Sequence, residues 1–181
     1  MSKILHTRHS TAGFTMIEII VIVLLISALS AIAVPSWLQF VTRRRLNEAQ
    51  DRGVLVLRDA QAKAKQSHST WQACFRDNGT RVDSAVEIDC SSVSANWQHL
   101  ISSNDSQLLS ITTANLAQSS GGYYAIQYQA DGTVDQNVNP ISSPSFPELI
   151  FAIRNQSAGS KTCIYVQTLL GAVRTAQDTG C

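Results

Sequence analysis

Charged residues are scarce in this sequence. Lys, Arg, Asp and Glu make up 15% of the 181 residues, against about 25% in an average soluble domain. The 14 basic and 13 acidic residues give a net charge of +1, which excludes a broadly basic nucleic-acid-binding protein, although not a local basic patch. Hydrophobic residues reach 44%, so global disorder is excluded as well, and the length favours one domain.

Motifs of common enzyme and metal sites are also missing. The sequence contains no Gly-x-Ser-x-Gly, no His-Glu-x-x-His and no P-loop. No Cys-x-x-Cys occurs, and the four histidines are His6, His9, His68 and His99, which argues against a zinc site. We therefore expect no enzymatic activity, no metal and no cofactor.

Long apolar runs are absent except for one. Residues 14–34, FTMIEIIVIVLLISALSAIAV, contain a single charged residue, Glu18. As a helix they would measure about 31 Å, close to the roughly 30 Å of a hydrocarbon core. The preceding 13 residues hold Lys3 and Arg8 and no acid, which predicts a cytoplasmic N-terminus and an exported remainder. A multi-pass membrane protein is excluded.

Two ordinary interpretations of this N-terminus are open. A secretory signal peptide would be cleaved after Ala31-Ile32-Ala33 and would give a mature chain starting at Val34, but the apolar run is long for one and contains Glu18. A plain membrane anchor explains the length but not Glu18, because an ionisable group inside a span is costly unless it reaches water at the nearby interface.

A third interpretation accounts for all of these features. Gly13-Phe14-Thr15-Met16-Ile17-Glu18 followed by an apolar helix resembles the type IV prepilin signature. The resemblance implies that a prepilin peptidase cleaves between Gly13 and Phe14 and that the new amino group of Phe14 is N-methylated. It also implies that Glu18 acts in assembly by meeting a neighbouring subunit's ammonium group. Pro35 falls where pilins commonly carry a helix-kinking proline.

The pattern after Pro35 predicts an amphipathic helix over 36–67 and a β domain over 70–181. Apolar or small residues recur at spacings of three and four: Leu46, Ala49, Gly53, Val56, Leu57, Ala60 and Ala64. Strands are predicted at 70–76, 84–90, 107–113, 123–130, 148–154, 161–169 and 171–175, and their short lengths and Gly/Asn/Asp turns indicate an antiparallel sheet. A long helix leading into a β domain is also the pilin fold, so the predicted class is α+β.

The cysteines agree with export. All four, Cys74, Cys90, Cys163 and Cys181, follow the apolar run, and disulfides form in oxidising compartments. Three pairings are open. Closeness in sequence favours Cys74–Cys90 and Cys163–Cys181, and each closed loop of roughly 15–20 residues would contribute about 3 kcal/mol.

The late strands extend the resemblance. An aromatic strand ending in Asp-Gly-Thr at 131–133, followed by Leu-Gly-Ala-Val-Arg at 170–174, resembles the GspH/FimT group of minor pilins and type II secretion minor pseudopilins. Some FimT-type members bind DNA through a Gly-Arg-x-Arg motif. Here Ala172 stands at the first arginine position and only Arg174 remains, so a DNA-binding minor pilin is the alternative function.

A run of three arginines, Arg43, Arg44 and Arg45, follows the apolar segment. It is a candidate for contact with lipid headgroups, a neighbouring subunit or DNA. The competing interpretation is a solvated cluster partly balanced by Glu48 and Asp51.

These inferences combine into one expectation. The chain is a minor pilin or pseudopilin with a cleaved leader at 1–13, a transmembrane and filament-core helix at 14–35 and an exported domain at 36–181. Its predicted partners are a prepilin peptidase, other pilins or pseudopilins, the inner-membrane assembly platform and, before assembly, membrane lipid. It is expected in the bacterial inner membrane as a single-pass protein and then in a pilus or pseudopilus.

Overall fold

One long helix, α1, spans Met16–Ser67 in a computed structural model that describes residues 13–113, 115–141, 146–155 and 159–181. The chain divides into two units, Met1–Phe40 and Val41–Cys181. Partly buried residues of α1 begin at Val41, the first residue of the second unit; the predicted boundary after residue 35 stays a prediction.

The interior and end of α1 follow from local chemistry. Pro35 lies inside the helix and has no N–H to donate to the carbonyl of Ala31; the predicted kink there stays a prediction. At the other end, His68 adopts a left-handed φ of 49°. The Ser69 amide then donates to the Ala64 carbonyl at 3.3 Å, the pairing of a Schellman motif. The predicted end of the helix is confirmed.

The remainder of the second unit is built mainly from short strands. They are β1 (Trp71–Asp77), β2 (Val82–Glu87), β3 (Gln98–His99), β4 (Leu109–Thr112), β5 (Tyr123–Tyr128), β6 (Glu148–Ile153), β7 (Lys161–Val166) and β8 (Val173–Gln177). A four-residue helix, α2 (Ser103–Ser106), precedes β4, and a 3₁₀ turn covers Asp178–Gly180.

The strands form two antiparallel sheets rather than one. Sheet A has the order β3-β2-β1-β5 and sheet B the order β4-β6-β7-β8. The chain leaves sheet A after β3, contributes β4 to sheet B and returns to pair β5 with β1. Periodicity locates strands but not their partners, so the expectation of one sheet was wrong while the predicted α+β class is confirmed.

Two observed strand ends differ from the predicted ones. The last strand begins at Val173 instead of residue 171, because Gly171 has a φ of +76° in the preceding turn, a conformation open to glycine. Strand β2 ends at Glu87 instead of residue 90, and Ile88, which follows it, is 58% exposed.

The core lies between α1 and the two sheets. The residues of α1 that are buried in it are Leu46, Ala49, Gln50, Gly53, Leu57, Ala60 and Ala64. Val56, expected among them, is only half-buried. At Gly53 the backbone comes so close to sheet B that an added Cβ would lie 2.6 Å from Ile164 Cδ1. The stripe of small residues therefore permits close packing of helix on sheet.

Gln50 was missed by the periodicity argument because it is polar. Its side-chain Nε2 donates to the Cys163 carbonyl at 2.9 Å and to the Ala176 carbonyl at 3.1 Å. These bonds satisfy an amide that is only 7% exposed. A buried polar group is acceptable when it is hydrogen-bonded, and here it joins α1 to β7 and β8.

Candidate processing and assembly site

The residues of the predicted cleavage and assembly motif lie at the start of α1. Gly13 and Phe14 precede the helix, and Phe14 is 74% exposed. An added Cβ at Gly13 would meet no atom within 4 Å. The fold described for this chain therefore places no steric demand for glycine at that position.

Thr15 caps the helix. Its Oγ1 accepts a hydrogen bond from the Glu18 amide at 3.3 Å, and its carbonyl accepts one from the Ile19 amide at 3.3 Å. Thr15-Met16-Ile17-Glu18 thus has the sequence of a capping box, in which the glutamate side chain reaches back to the cap residue. The sequence argument overlooked this local role for Glu18.

Only half of the capping box is present. Within residues 13–113 and the other described segments, no hydrogen bond or ion pair forms through the Glu18 carboxylate, and the residue is exposed. A negative charge in the first turn also interacts favourably with the helix dipole, typically by 0.3–1 kcal/mol. Local stabilisation therefore uses the backbone of Glu18 and leaves its carboxylate accessible to a partner.

The helix that follows is apolar and uncovered. Every residue from Gly13 to Phe40 is exposed. An 18-residue window of α1 is apolar enough and long enough to cross a membrane, and none of that window is buried. Monomeric soluble proteins rarely expose an apolar surface of this size. This segment therefore has to be shielded from water by lipid or by other protein.

The four candidate arginines do not form one site. Arg45 is ion-paired with Asp105 of α2 at 2.6 Å, whereas Arg43 and Arg44 are exposed. Arg174 lies on β8 opposite Tyr165 of β7 and is exposed. The structure therefore shows no basic cluster joining the arginine run to the 170–174 turn among the residues it describes.

Both disulfides are present. Cys74 of β1 is bonded to Cys90, with Cα atoms 6.5 Å apart, and Cys163 of β7 is bonded to Cys181, with Cα atoms 5.7 Å apart. These are the pairs that closeness in sequence favours. The first ties the segment after β2 to sheet A, and the second ties Cys181 to sheet B.

A charged cluster on sheet A was not predicted. The Asp83 carboxylate of β2 is almost fully buried. It accepts hydrogen bonds from Arg76 at 3.1 Å and from Arg81 at 3.4 Å, and it lies 3.0 Å from His99 Nδ1. Burial alone would raise the pKa of Asp83, but the bonds to His99, Arg76 and Arg81 outweigh it and hold that pKa below its ordinary value. Arg76, Asp83 and His99 lie on the neighbouring strands β1, β2 and β3, so their proximity depends on the strand register.

A second unpredicted ion pair links the two sheets. Arg154, just after β6, donates through Nη2 to the Asp77 carboxylate at 2.7 Å. The other Asp77 oxygen accepts from the Ile111 amide of β4 at 3.2 Å. The sequence argument identified neither contact of Asp77, because local sequence patterns carry no information on partners 34 and 77 residues away.

No group of three or more His, Cys, Asp or Glu side chains within the described part of the chain is placed to hold a metal ion. The charged clusters found there combine acids with arginines. In these clusters the arginines neutralise the carboxylates, and the ion pairs hold neighbouring strands in place relative to one another.

Comparisons with known proteins give few matches. No family model matches this chain, and no curated protein matches it at a significant level. Among solved structures it is similar to the type IV minor pilin FimU of Pseudomonas aeruginosa in two crystal forms. One has 13% identity and a TM-score of 0.46 over 76% of this chain and 92% of that chain. The other has 12% identity and a TM-score of 0.44 over 72% and 90%.

Proposed function

We propose that this chain is a prepilin-like structural subunit, a minor pilin or minor pseudopilin. A prepilin peptidase removes residues 1–13 by cleavage between Gly13 and Phe14, and the new amino group of Phe14 is methylated. Residues 14–35 then hold the subunit in the bacterial inner membrane, with residues 36–181 exported. The assembly platform transfers it, with other pilins or pseudopilins, into a type IV pilus or a type II secretion pseudopilus.

The observation that carries this proposal is the uncovered apolar helix. All residues from Gly13 to Phe40 are exposed, although the second unit has a closed core of its own. The apolar residues of the helix therefore require apolar surroundings that the second unit does not provide. Lipid supplies that environment before assembly, and helices of neighbouring subunits supply it in a filament, where van der Waals packing replaces lipid contacts.

Glu18 supports the assembly step. Its carboxylate is exposed and bonded to no described residue, and it lies one helical turn after Phe14. Cleavage would create an ammonium group at Phe14. In a bundle of such helices a carboxylate of one subunit can pair with the ammonium of the next, and removing one member of a buried ion pair costs about 3–5 kcal/mol.

The N-terminus of the mature chain tests the proposal. The protein is produced with and without a prepilin peptidase, and the membrane-associated product is measured by intact mass and N-terminal sequencing. We expect a mature chain starting at methylated Phe14 only when the peptidase is present. Gly13→Leu should retain the leader, whereas Ala33→Leu, the matched change at the competing secretory site, should be processed like wild type.

Two results would overturn the proposal. A mature chain starting at Val34, with processing blocked by Ala33→Leu, would establish a secretory signal peptide. A chain that keeps residues 1–13 in the presence of the peptidase would establish a plain membrane anchor.

A further inference from the structure

Two aromatic side chains follow directly after the apolar span. Trp37 is 65% exposed and Phe40 is 58% exposed. Their spacing of three places them on one face of α1, and their ring centroids are 5.9 Å apart with an interplanar angle of 37°. They form an exposed aromatic pair within the first unit.

The depth of this pair follows from the helix rise. If residues 14–34 fill the hydrocarbon core, Trp37 lies about 4.5 Å beyond its edge and Phe40 about 9 Å beyond it. The headgroup layer on each side is roughly 5–8 Å thick. The position of Trp37 therefore falls inside that layer, and the position of Phe40 falls just beyond it, with a side chain that leans back toward the N-terminal end of α1.

The surroundings of Trp37 differ from those of the other two tryptophans. Trp71 donates its indole N–H to Ser67 and Ser69. Trp97 has no hydrogen-bond acceptor among the described residues, but it is half-buried under the Arg76 guanidinium at 4.2 Å and against the Tyr123 ring. No residue in the described segments accepts a hydrogen bond from the Trp37 indole. An aromatic ring with an unused donor suits a layer that is apolar on one side and rich in phosphate and ester oxygens on the other.

We infer that Trp37 and Phe40 form an interfacial anchor that binds the phospholipid headgroup layer on the exported side of the membrane. The inference rests on the membrane-inserted stage of the proposed function. The anchor fixes how deeply the span lies, because moving Trp37 into the hydrocarbon would leave its N–H without an acceptor and moving it outward would expose both rings to water.

Lipid-specific fluorescence quenching tests the anchor. The full chain carrying Trp71→Phe and Trp97→Phe, which leaves Trp37 as its one tryptophan, is reconstituted in phosphatidylcholine–phosphatidylglycerol vesicles. The lipids carry bromine either near the glycerol end or near the methyl end of the acyl chain. We expect the shallow bromines to quench Trp37 about twofold more strongly than the deep bromines, as for interfacial tryptophans in general.

A second variant guards against misfolding of the first. Trp37→Phe in the otherwise unchanged chain should lose the component of emission that shallow bromines quench and should keep the emission of Trp71 and Trp97. Stronger quenching by deep bromines, or no quenching in a chain that floats with the vesicles, would overturn the anchor alone. A chain that does not float with the vesicles would overturn the membrane span together with it.

Discussion

The backbone and the side chain of Glu18 have different surroundings. Its amide belongs to the helix cap formed by Thr15, while its carboxylate is exposed. Substitutions can therefore separate the helix cap from the proposed assembly contact.

Glu18→Gln should block assembly while leaving the helix intact. Glutamine keeps the size of the side chain but cannot neutralise an ammonium group, so we expect the amount of subunit in sheared filaments to fall by at least about tenfold. Thr15→Val is the matched control: it removes the cap, at about 1 kcal/mol, and should leave assembly near wild type. Undiminished filament entry of the Glu18→Gln subunit would contradict the assembly role.

Asp83 should make the stability of the second unit, Val41–Cys181, sensitive to acid. Its pKa is lowered in the folded state, so its stabilising contribution is complete above the unfolded pKa near 3.9 and is lost as pH falls through the lower folded value. Asp83→Asn should reduce the free energy of unfolding of residues 41–181 at pH 7 by about 1–3 kcal/mol. The variant should also show a smaller further loss between pH 5 and pH 2 than wild type.

Chemical denaturation with intact disulfides measures this effect. Asp51→Asn, at an exposed position of α1, is the control and should change stability by less than about 0.5 kcal/mol at any pH. If the free energy of unfolding of Asp83→Asn falls between pH 5 and pH 2 as steeply as that of wild type, the Asp83 cluster does not control the pH dependence.

At the scale of elements, the packing of α1 on sheet B depends on Gly53, although glycine has a low helix propensity. Replacing Gly53 by alanine gains about 1 kcal/mol of helix propensity. The new Cβ, however, would lie 2.6 Å from Ile164 Cδ1 and 3.2 Å from Phe151 Cζ. Overpacking of a closed core costs typically 1–3 kcal/mol, so close packing against sheet B outweighs propensity at this position.

A double-mutant cycle tests that contact. Gly53→Ala should destabilise the second unit by about 1 kcal/mol, and Ile164→Val, which removes the Cδ1 atom alone, should reduce that penalty. We expect a coupling energy of about 0.5–2 kcal/mol between the two positions in urea unfolding. Additive effects would contradict the proposed clash and would locate the role of Gly53 elsewhere.

The elements also show where prediction from sequence succeeds. Period-two alternation and turn residues located β1 and β5 to β7 within a few residues, because those signals are local. The two-residue β3 and the division into sheets A and B were missed, since they depend on which strands meet. Gln50 and Asp83 were missed for the same reason, as their partners are carbonyls and side chains brought together only by the fold.

The N-terminal motif could be proposed from the sequence because Gly13, Phe14 and Glu18 lie within six consecutive positions. A resemblance carried by so short a segment does not depend on how the rest of the chain folds. The structure adds what the motif does not contain: the cap at Thr15, and a carboxylate left without a partner among the described residues.

At the scale of the whole molecule, charge argues against a nucleic-acid partner. The net charge is +1, Arg45 is neutralised by Asp105, and Arg174 has no second arginine in its turn. Non-specific DNA affinity depends on the number of phosphates that Lys and Arg neutralise together. We expect the full chain in detergent to give no rise in fluorescence anisotropy with labelled duplex DNA at low salt.

A gain-of-function variant makes this expectation testable in both directions. Ala172→Arg, at an exposed position, would supply a second arginine and should produce weak binding that decreases with salt, with a log–log slope near −2 for about two phosphate contacts. Wild-type binding that is lost in Arg174→Ala would contradict the expectation and favour the DNA-binding alternative.

The start of α1 at Met16 has a further consequence for the order of events in maturation. The Gly13–Phe14 peptide bond lies outside the helical hydrogen-bond ladder, and the threonine cap stops the ladder from extending backwards over it. A protease cutting at the proposed site would therefore find this bond outside the helix and would not have to unwind α1. Under the proposed function, the cut could then be made on a chain whose helix is already in the membrane.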